Sequence, residues 1–321
     1  MPAAAPAARP ASALPRRPVP GFGAEVPVLC LGTMTFGSPV GEPEAVDLVH
    51  RALDLGLTFV DTANMYEGYA RVPGSAGGVA EEILGKALAG RRNGVVLATK
   101  LGMKVGAAPE DEGTSPAAVH LQLERSLKRL RTDRIDLYYL HRFDVSAPQA
   151  EVVGALAREI RAGRTLAYGV SNYPAEALAS LLAVCDAEGL PRPAACQPPL
   201  SLLRRDALDA LLPLCAREGI AVVPYQALQG GLLTGKYRRG APPPEGTRGS
   251  DKPDWLGTLD DALFDRLEAL EAEARAEGTD LRTYAFRWTL RQPGVASVLV
   301  GASRPSQLED AVRAVAEIGR T

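Results

Sequence analysis

Ionisable side chains stand at the ends of short apolar runs in the middle of the chain. Asp61 ends the run TFVD and Tyr66 follows it by five residues, while Lys100 ends VVLATK and His141 ends IDLYYLH. An acid, a base and an imidazole at three successive run ends are hard to explain by packing, because a buried charge without a partner is costly. We therefore expect Asp61 and Lys100 to form an ion pair.

Together these side chains indicate a proton donor. A tyrosine hydroxyl has a pKa of about 10, and a nearby ammonium group lowers it by stabilising the phenolate. We expect Lys100 to bring the pKa of Tyr66 to about 7 to 8, which needs roughly 3 to 4 kcal/mol of stabilisation. Asp61 would orient Lys100, and a neutral His141 would donate a hydrogen bond to a carbonyl oxygen. Because no side chain supplies hydride, reduction of that carbonyl implies a nicotinamide cofactor.

The elements that must position these residues alternate along the chain. Amphipathic stretches with helix signals, such as Ser115 followed by Pro116 at a start and Gly56 or Gly189 at an end, separate eight short apolar runs rich in β-branched residues. Runs of this length and composition are typical of buried parallel strands. The runs begin at Val28, Thr58, Val95, Ile135, Thr165, Ala194, Ala221 and Ser297.

Eight such units predict an α/β fold of the (β/α)8 TIM-barrel type in a single domain. A doubly wound sheet is the alternative, and it would want a G-x-G-x-x-G turn after the first strand, where Leu31-Gly32-Thr33-Met34 has none. A barrel places its chemistry at the carboxyl ends of the strands, which is where the four polar residues fall.

The remaining segments are rich in proline and glycine. Residues 1–17 are Ala/Pro-rich and carry no acid, so we expect a disordered tail followed by a barrel over residues 18–321. Long loops near residues 67–78 and 238–258 would lie at the mouth of the barrel and shape the substrate pocket.

Composition excludes several other classes of protein. A formal charge of −2 from 36 Lys+Arg and 38 Asp+Glu argues against a nucleic-acid partner. No apolar run is long enough to span a membrane. The four cysteines show no C-x-x-C spacing, and only one of the three histidines ends a predicted strand, so we expect no metal site and a reducing, cytoplasmic location.

One motif match is expected to be false. The stretch from Gly230 to Lys236 satisfies G-x-x-x-x-G-K, but Tyr237 follows where a P-loop needs the Ser or Thr that binds magnesium. Ser171 likewise lacks the G-x-S-x-G surroundings of a nucleophile.

Five short motifs bring the sequence close to a known family. DTANMY at Asp61, ATK at Ala98, YLHR at Tyr139, GVSN at Gly169 and LLTGKY at Leu232 resemble the aldo-keto reductases, and the likeness covers almost all of the chain outside the tail. The resemblance implies an NADPH-dependent barrel enzyme that reduces the carbonyl of a small-molecule aldehyde or ketone to an alcohol. It also implies Tyr66 as the general acid, assisted by Lys100, Asp61 and His141.

The resemblance implies a cofactor site as well. Ser171, Asn172 and Gln197 would contact the nicotinamide carboxamide, Tyr225 would stack on the nicotinamide ring, and Arg304 with Ser303 would hold the adenosine 2′-phosphate. The other implied cofactor-binding residues are Gly32, Thr33, Met34, Gly301, Gln307 and Asp310.

Two positions depart from the pattern of the family. Leu200 stands where many members have an aromatic residue, and Ala311 stands where many have asparagine. Two alternatives stay open: a reductase of nucleotide-activated keto-deoxysugars (ketone or enone) in secondary metabolism, and a cofactor-sensing regulatory subunit of the potassium-channel β type. The oligomeric state is not predicted.

Overall fold

The first element of the fold is a small hairpin. A computed structural model describes residues 14–316 of the 321-residue chain, and in it β1 (Arg16–Val19) pairs antiparallel with β2 (Ala24–Pro27). Val19 and Val26 of the hairpin are buried against side chains from inside the barrel described below. The hairpin therefore closes one end of the barrel.

The predicted disordered tail is wrong for residues 14–17, and its remainder, residues 1–13, lies outside the described residues. Leu14 is buried, and the guanidinium of Arg17 donates to the carbonyl oxygens of Leu290 (2.7 Å) and Val295 (2.5 Å). Hydrophobic burial and two charge-assisted hydrogen bonds thus order a segment whose composition alone indicated disorder.

Eight parallel strands form the barrel, as the sequence predicted. Their order in the sheet is β10-β3-β4-β5-β6-β7-β8-β9, so the strands from β3 to β9 pair in chain order and β10 pairs with β3. The strands are β3 (Leu29–Gly32), β4 (Phe59–Asp61), β5 (Val96–Leu101), β6 (Ile135–Leu140), β7 (Thr165–Ser171), β8 (Ala195–Gln197), β9 (Ala221–Val222) and β10 (Val298–Gly301).

Main-chain hydrogen bonds join β9 to the segment that leads into β10 and close the sheet. The amide of Val222 donates to the carbonyl of Gly294 (2.8 Å), and the amide of Ala296 donates back to the carbonyl of Val222 (2.9 Å). The amide of Leu299 in β10 also donates to the carbonyl of Pro224, just after β9 (2.9 Å). The fold is therefore a (β/α)8 barrel in a single domain, because these bonds connect the two edges of the eight-stranded sheet.

Ten α-helices are present in the described part of the chain, most of them packed around the outside of the barrel. The predicted signals at Ser115 and Gly189 are confirmed, since the Ser115 hydroxyl caps the helix that follows and Gly189 ends another at φ +62°. The helices are α1 (Glu42–Asp54), α2 (Val79–Ala87), α3 (Pro116–Leu130), α4 (Gln149–Arg161), α5 (Ala175–Glu188), α6 (Leu211–Arg217), α7 (Arg248–Asp251), α8 (Asp261–Ala276), α9 (Leu281–Leu290) and α10 (Pro305–Val315).

Two long connections leave the carboxyl ends of β4 and β9. The first runs from Asp61 to the start of α2, and the second contains α7 and a short 3-10 turn, Pro253–Trp255. Within residues 14–316, none of the helices is long and apolar enough to cross a membrane.

Candidate active site

The barrel brings the four predicted polar residues to one end. Asp61 ends β4, Lys100 is the penultimate residue of β5, and His141 follows β6 directly. Tyr66 lies in the connection after β4, and its amide donates to the carbonyl of Ala63 in a turn that folds the chain back over the strand end. Three neighbouring strands and the connection after β4 thus place these side chains together.

Lys100 is the centre of the cluster. Its ammonium group donates to the Asp61 carboxylate, to the carbonyl of Thr62 at 2.9 Å and to the hydroxyl of Tyr66 at 3.2 Å. Asp61 and Lys100 are both fully buried. The predicted ion pair is therefore present, and three acceptors satisfy the three N–H bonds of the ammonium.

Opposing effects act on the pKa values of this buried pair. Burial acts to lower the pKa of Lys100, but Asp61 and Tyr66 outweigh it and the pKa rises above its ordinary value. Burial raises the pKa of Asp61, while Lys100 and Gln197 act in the opposite direction. Lys100 therefore stays protonated at neutral pH.

The pKa of Tyr66 differs from the value expected from the sequence. Its pKa is raised, because burial outweighs the stabilising charge of Lys100 and because Asp61 adds a repulsive negative charge. The predicted lowering to about 7 to 8 left out both the desolvation of the phenolate and the counter-charge that accompanies Lys100. Tyr66 consequently holds its proton at neutral pH.

His141 packs against the ring of Tyr66. Its ring meets that of Tyr66 edge to face, with the centroids 5.8 Å apart. Burial lowers the pKa of His141 well below its ordinary value, and the charges of Lys100, Arg142 and Arg71 lower it further. The imidazole is therefore neutral at pH 7, as predicted, and its buried Nδ1 has no hydrogen-bond partner within residues 14–316.

The strand ends of β7 and β8 continue the polar surface. The amide nitrogen of Asn172 donates to the carbonyl of His141 (2.9 Å) and to the hydroxyl of Ser171 (3.1 Å), and its oxygen accepts from the hydroxyl of Tyr225 (2.7 Å). Asn172 adopts φ +54°, a left-handed conformation that asparagine tolerates. Gln197, the last residue of β8, donates from Nε2 to the second carboxylate oxygen of Asp61 at 2.9 Å.

The segment after β3 lies beside the same site. Both the amide and the hydroxyl of Thr33 donate to the carbonyl of Asp61 at 3.1 Å. Gly32 pairs with Asp61 in the sheet, and Met34 is half-buried. These predicted cofactor-binding residues therefore line the strand end next to Asp61.

The segment after β10 forms the start of α10. The side-chain oxygen of Gln307 accepts from the amides of Ser303 (2.7 Å) and Arg304 (3.3 Å), so it caps the helix. Gly301 and the side chain of Arg304 are exposed. The side-chain oxygen of Gln307 is thus used to cap its own helix, a role that the family resemblance did not indicate.

Asp310 also has partners within the chain. Its two carboxylate oxygens accept separately from Arg282 of α9 and from Arg313 of α10. These arginines line a cavity of about 280 Å³ that also contains Asp310. Because two guanidinium groups already bind this carboxylate, it is a weaker hydrogen-bond acceptor for a ligand than the unpaired carboxylate expected from the sequence.

Three cationic side chains near Arg304 were not predicted from the sequence. Burial lowers the pKa of Lys236, and the nearby charges of Arg248, Arg304 and Arg282 lower it further. Gly231 makes room for the lysine at φ +100°, because a Cβ there would lie 2.7 Å from Nζ of Lys236. We call Lys236, Arg248, Arg282 and Arg304 the cation cluster. In the sequence only Lys236 stood out, as the last residue of the false P-loop match.

The two long connections meet at the mouth of the barrel. The rings of Tyr69 and Trp255 contact edge to face at 5.2 Å, and Nε of Arg248 donates to the hydroxyl of Tyr69 at 3.3 Å. The Arg248 guanidinium also lies over the Trp255 ring at 5.8 Å. Half of the Trp255 side chain stays exposed, so these contacts hold the two connections together at the surface.

A closed parallel barrel with a buried Lys-Asp pair and a tyrosine at its carboxyl end defines a class of protein, a (β/α)8-barrel with a candidate proton-transfer site. Residues 28–318 match the family model described as the aldo/keto reductase family. The chain belongs to that family, and the assignment supports an oxidoreductase.

Three relatives illustrate the range of the family. A probable voltage-gated potassium channel subunit beta from Arabidopsis thaliana is 32% identical over 91% of this chain and 88% of its own length. The L-glyceraldehyde 3-phosphate reductase of Escherichia coli strain K12 is 32% identical over 91% and 85%. The uncharacterized oxidoreductase YrpG of Bacillus subtilis strain 168 is 34% identical over 91% and 88%.

Proposed function

We propose that this protein is an NADPH-dependent reductase that converts the carbonyl group of an aldehyde or ketone into an alcohol. The observation that carries the proposal is the hydroxyl of Tyr66 lying 3.2 Å from the ammonium nitrogen of Lys100, which is itself bonded to Asp61. A phenol with a raised pKa keeps its proton, and the adjacent cation stabilises the phenolate formed when that proton leaves.

The side chains act on the substrate in a defined order. Neutral His141 donates a hydrogen bond that directs the carbonyl oxygen toward Tyr66. Tyr66 then transfers its proton to that oxygen as negative charge develops on it. Lys100 stabilises the resulting phenolate, and Asp61 keeps the ammonium group in place. Tyr66 recovers a proton from solvent before the next cycle.

The residues around this centre fit a nicotinamide cofactor. Ser171, Asn172 and Gln197 present hydroxyl and amide groups for a carboxamide, and the half-buried ring of Tyr225 is fixed by its bond to Asn172. A nicotinamide bound there would supply the hydride that no side chain provides. Gly32, Thr33 and Met34 would border it beside Asp61.

The cation cluster supports a phosphorylated cofactor. The positive charges of Arg248, Arg304 and Arg282 repel that of Lys236 and help to lower its pKa, so a bound anion would relieve the repulsion. Arg304 and Ser303 at the start of α10 would hold the 2′-phosphate, since Arg offers a bidentate fork and a helix start attracts anions. Lys236 and Arg248 would hold the bridging phosphates.

The first test is turnover. We expect purified protein to oxidise NADPH in the presence of 4-nitrobenzaldehyde and to use NADH much less well. A commercial panel of aldehydes, ketones and sugar phosphates, including glyceraldehyde 3-phosphate, would then narrow the substrate class. No NADPH oxidation with any carbonyl compound would contradict the proposed function.

A second candidate function is a cofactor-sensing regulatory subunit. It is favoured by the 32% identity to the probable potassium channel subunit beta. Binding and turnover measured together distinguish the two functions. A sensor would bind NADPH tightly in a fluorescence titration but would consume none of it with any carbonyl compound.

A further inference from the structure

Gln197 contacts both the acid-base cluster and the candidate carboxamide site. Its Nε2 donates to the second oxygen of Asp61 at 2.9 Å, while the first oxygen accepts from Lys100. We propose that Gln197 is a positioning residue that links cofactor binding to the Asp61–Lys100–Tyr66 chain of hydrogen bonds. The inference rests on the proposed function, and it assigns to Gln197 a task beyond holding the cofactor.

The main chain fixes Gln197 in place. Its carbonyl accepts from the hydroxyl of Ser171 at 2.9 Å, and its neighbours in β8 are buried. In the order of the strands, β8 lies four places from β4, which is the opposite side of an eight-stranded barrel. The Gln197 side chain therefore reaches across the barrel interior to meet Asp61.

The chemistry of the amide allows both tasks. A glutamine amide has two N–H bonds and an oxygen with two lone pairs, so a single bond to Asp61 leaves groups for a carboxamide. The Asp61 carboxylate is fully buried, and a buried carboxylate oxygen without a donor is costly. Gln197 thus supplies a donor to the Asp61 oxygen other than the one that accepts from Lys100.

The effect on Tyr66 has a definite sign. The negative charge of Asp61 raises the pKa of Tyr66. Burial raises the pKa of Asp61, and the hydrogen bond from Gln197 opposes that rise by stabilising the charged carboxylate. Without this bond the Asp61 charge is less well compensated, so the phenolate of Tyr66 is less stable. Alcohol oxidation, which needs the phenolate as a base, should therefore suffer more than carbonyl reduction, which needs the neutral phenol.

The test compares the two directions in the Gln197→Met variant. Oxidation of 4-nitrobenzyl alcohol with NADP⁺ at pH 9 should fall about tenfold in kcat, because the pKa of Tyr66 rises and less of it is present as the phenolate. Reduction of 4-nitrobenzaldehyde with saturating NADPH at pH 7 should fall less than threefold, because Tyr66 is protonated there. Thermal unfolding followed by circular dichroism would confirm that the variant folds.

Two controls separate positioning from simple cofactor binding. Asn172→Gly removes a neighbouring carboxamide contact that does not touch Asp61, and its φ of +54° suits glycine. It should weaken NADPH binding in a fluorescence titration without changing the ratio of oxidation to reduction. In an Asp61→Asn background, Gln197→Met should change that ratio less than twofold, since the charge it acts on is gone.

An unchanged or increased ratio in Gln197→Met would overturn the inference, as would an equal change in Asn172→Gly or in the Asp61→Asn background. Those results would leave the proposed function standing, because the wild-type protein would still reduce the aldehyde. Failure of the wild-type protein to turn over NADPH would instead reject the proposed function itself.

Discussion

The hydroxyl oxygen of Tyr66 lies 3.2 Å from the ammonium nitrogen of Lys100, and the pKa of that hydroxyl is nevertheless raised. Burial and the charge of Asp61 outweigh the attraction of Lys100 for the phenolate. The pair is thus arranged to hold a proton until a substrate oxygen takes it, and Lys100 acts mainly on the charge that forms during transfer.

The pH dependence of reduction follows from this relationship. Because the pKa of Tyr66 lies above its ordinary value of about 10, the phenol is protonated throughout neutral and mildly alkaline solution. We expect kcat for NADPH-dependent reduction to be level from pH 7 to about pH 9 and to fall only as the pH approaches the pKa of Tyr66. A decline centred between pH 7 and 8 would instead support the lowered pKa expected from the sequence.

Removing Lys100 should damage both stability and activity. Lys100→Met leaves Asp61 buried without its counter-charge, which should cost about 3 to 5 kcal/mol in free energy of unfolding. Urea unfolding measures this loss. The double variant Lys100→Met with Asp61→Leu should recover most of the stability and none of the activity, whereas an equally unstable double variant would argue against the charge as the cause.

Arg304 should select the phosphorylated cofactor. Arg304→Ala removes a charge-assisted hydrogen bond of about 1.5 to 3 kcal/mol, so the Kd for NADPH should rise roughly tenfold or more while the Kd for NADH changes little. Fluorescence titration measures both. Arg192→Ala is the matched control, because Arg192 is held in surface ion pairs with Asp186 and Glu218. Equal losses for the two cofactors would count against a 2′-phosphate contact.

The contact between the two long connections should affect binding of large substrates. Trp255→Ala removes an aromatic pair worth about 0.5 to 1.5 kcal/mol beyond its buried area, so the KM for 4-nitrobenzaldehyde should rise about three- to tenfold with kcat nearly unchanged. Propanal, which is small, should show little change in KM. The same rise in KM for both aldehydes would place Trp255 away from the substrate.

The strands and the polar residues at their ends could be predicted from the sequence, because short β-branched runs and helix caps are local signals. The residues Asp61, Lys100 and His141 therefore came together as predicted. Features that depend on tertiary contacts were not visible in the sequence. The hairpin at Arg16 is held by distant carbonyl groups, and the pKa of Tyr66 depends on how deeply the barrel buries it.

Among the candidate cofactor-binding residues, too, some features were predictable from the sequence and others were not. Arg304 was predicted from the family resemblance and lies at the start of α10, but Asp310 is paired with Arg282 and Arg313. Lys236 and Arg248 come from a connection that local patterns describe only as a loop. Their approach to Arg304 is a property of the folded chain, and periodicity in the sequence carries no signal for it.

The most direct test of the proposed mechanism is the Tyr66→Phe variant, measured for NADPH binding and for reduction of 4-nitrobenzaldehyde. Phenylalanine keeps the ring and removes only the hydroxyl that lies 3.2 Å from Lys100. We predict that NADPH binds within about threefold of the wild-type Kd while kcat falls at least 100-fold, the scale of general acid catalysis. Turnover close to that of the wild-type protein would contradict the assignment of Tyr66 as the proton donor.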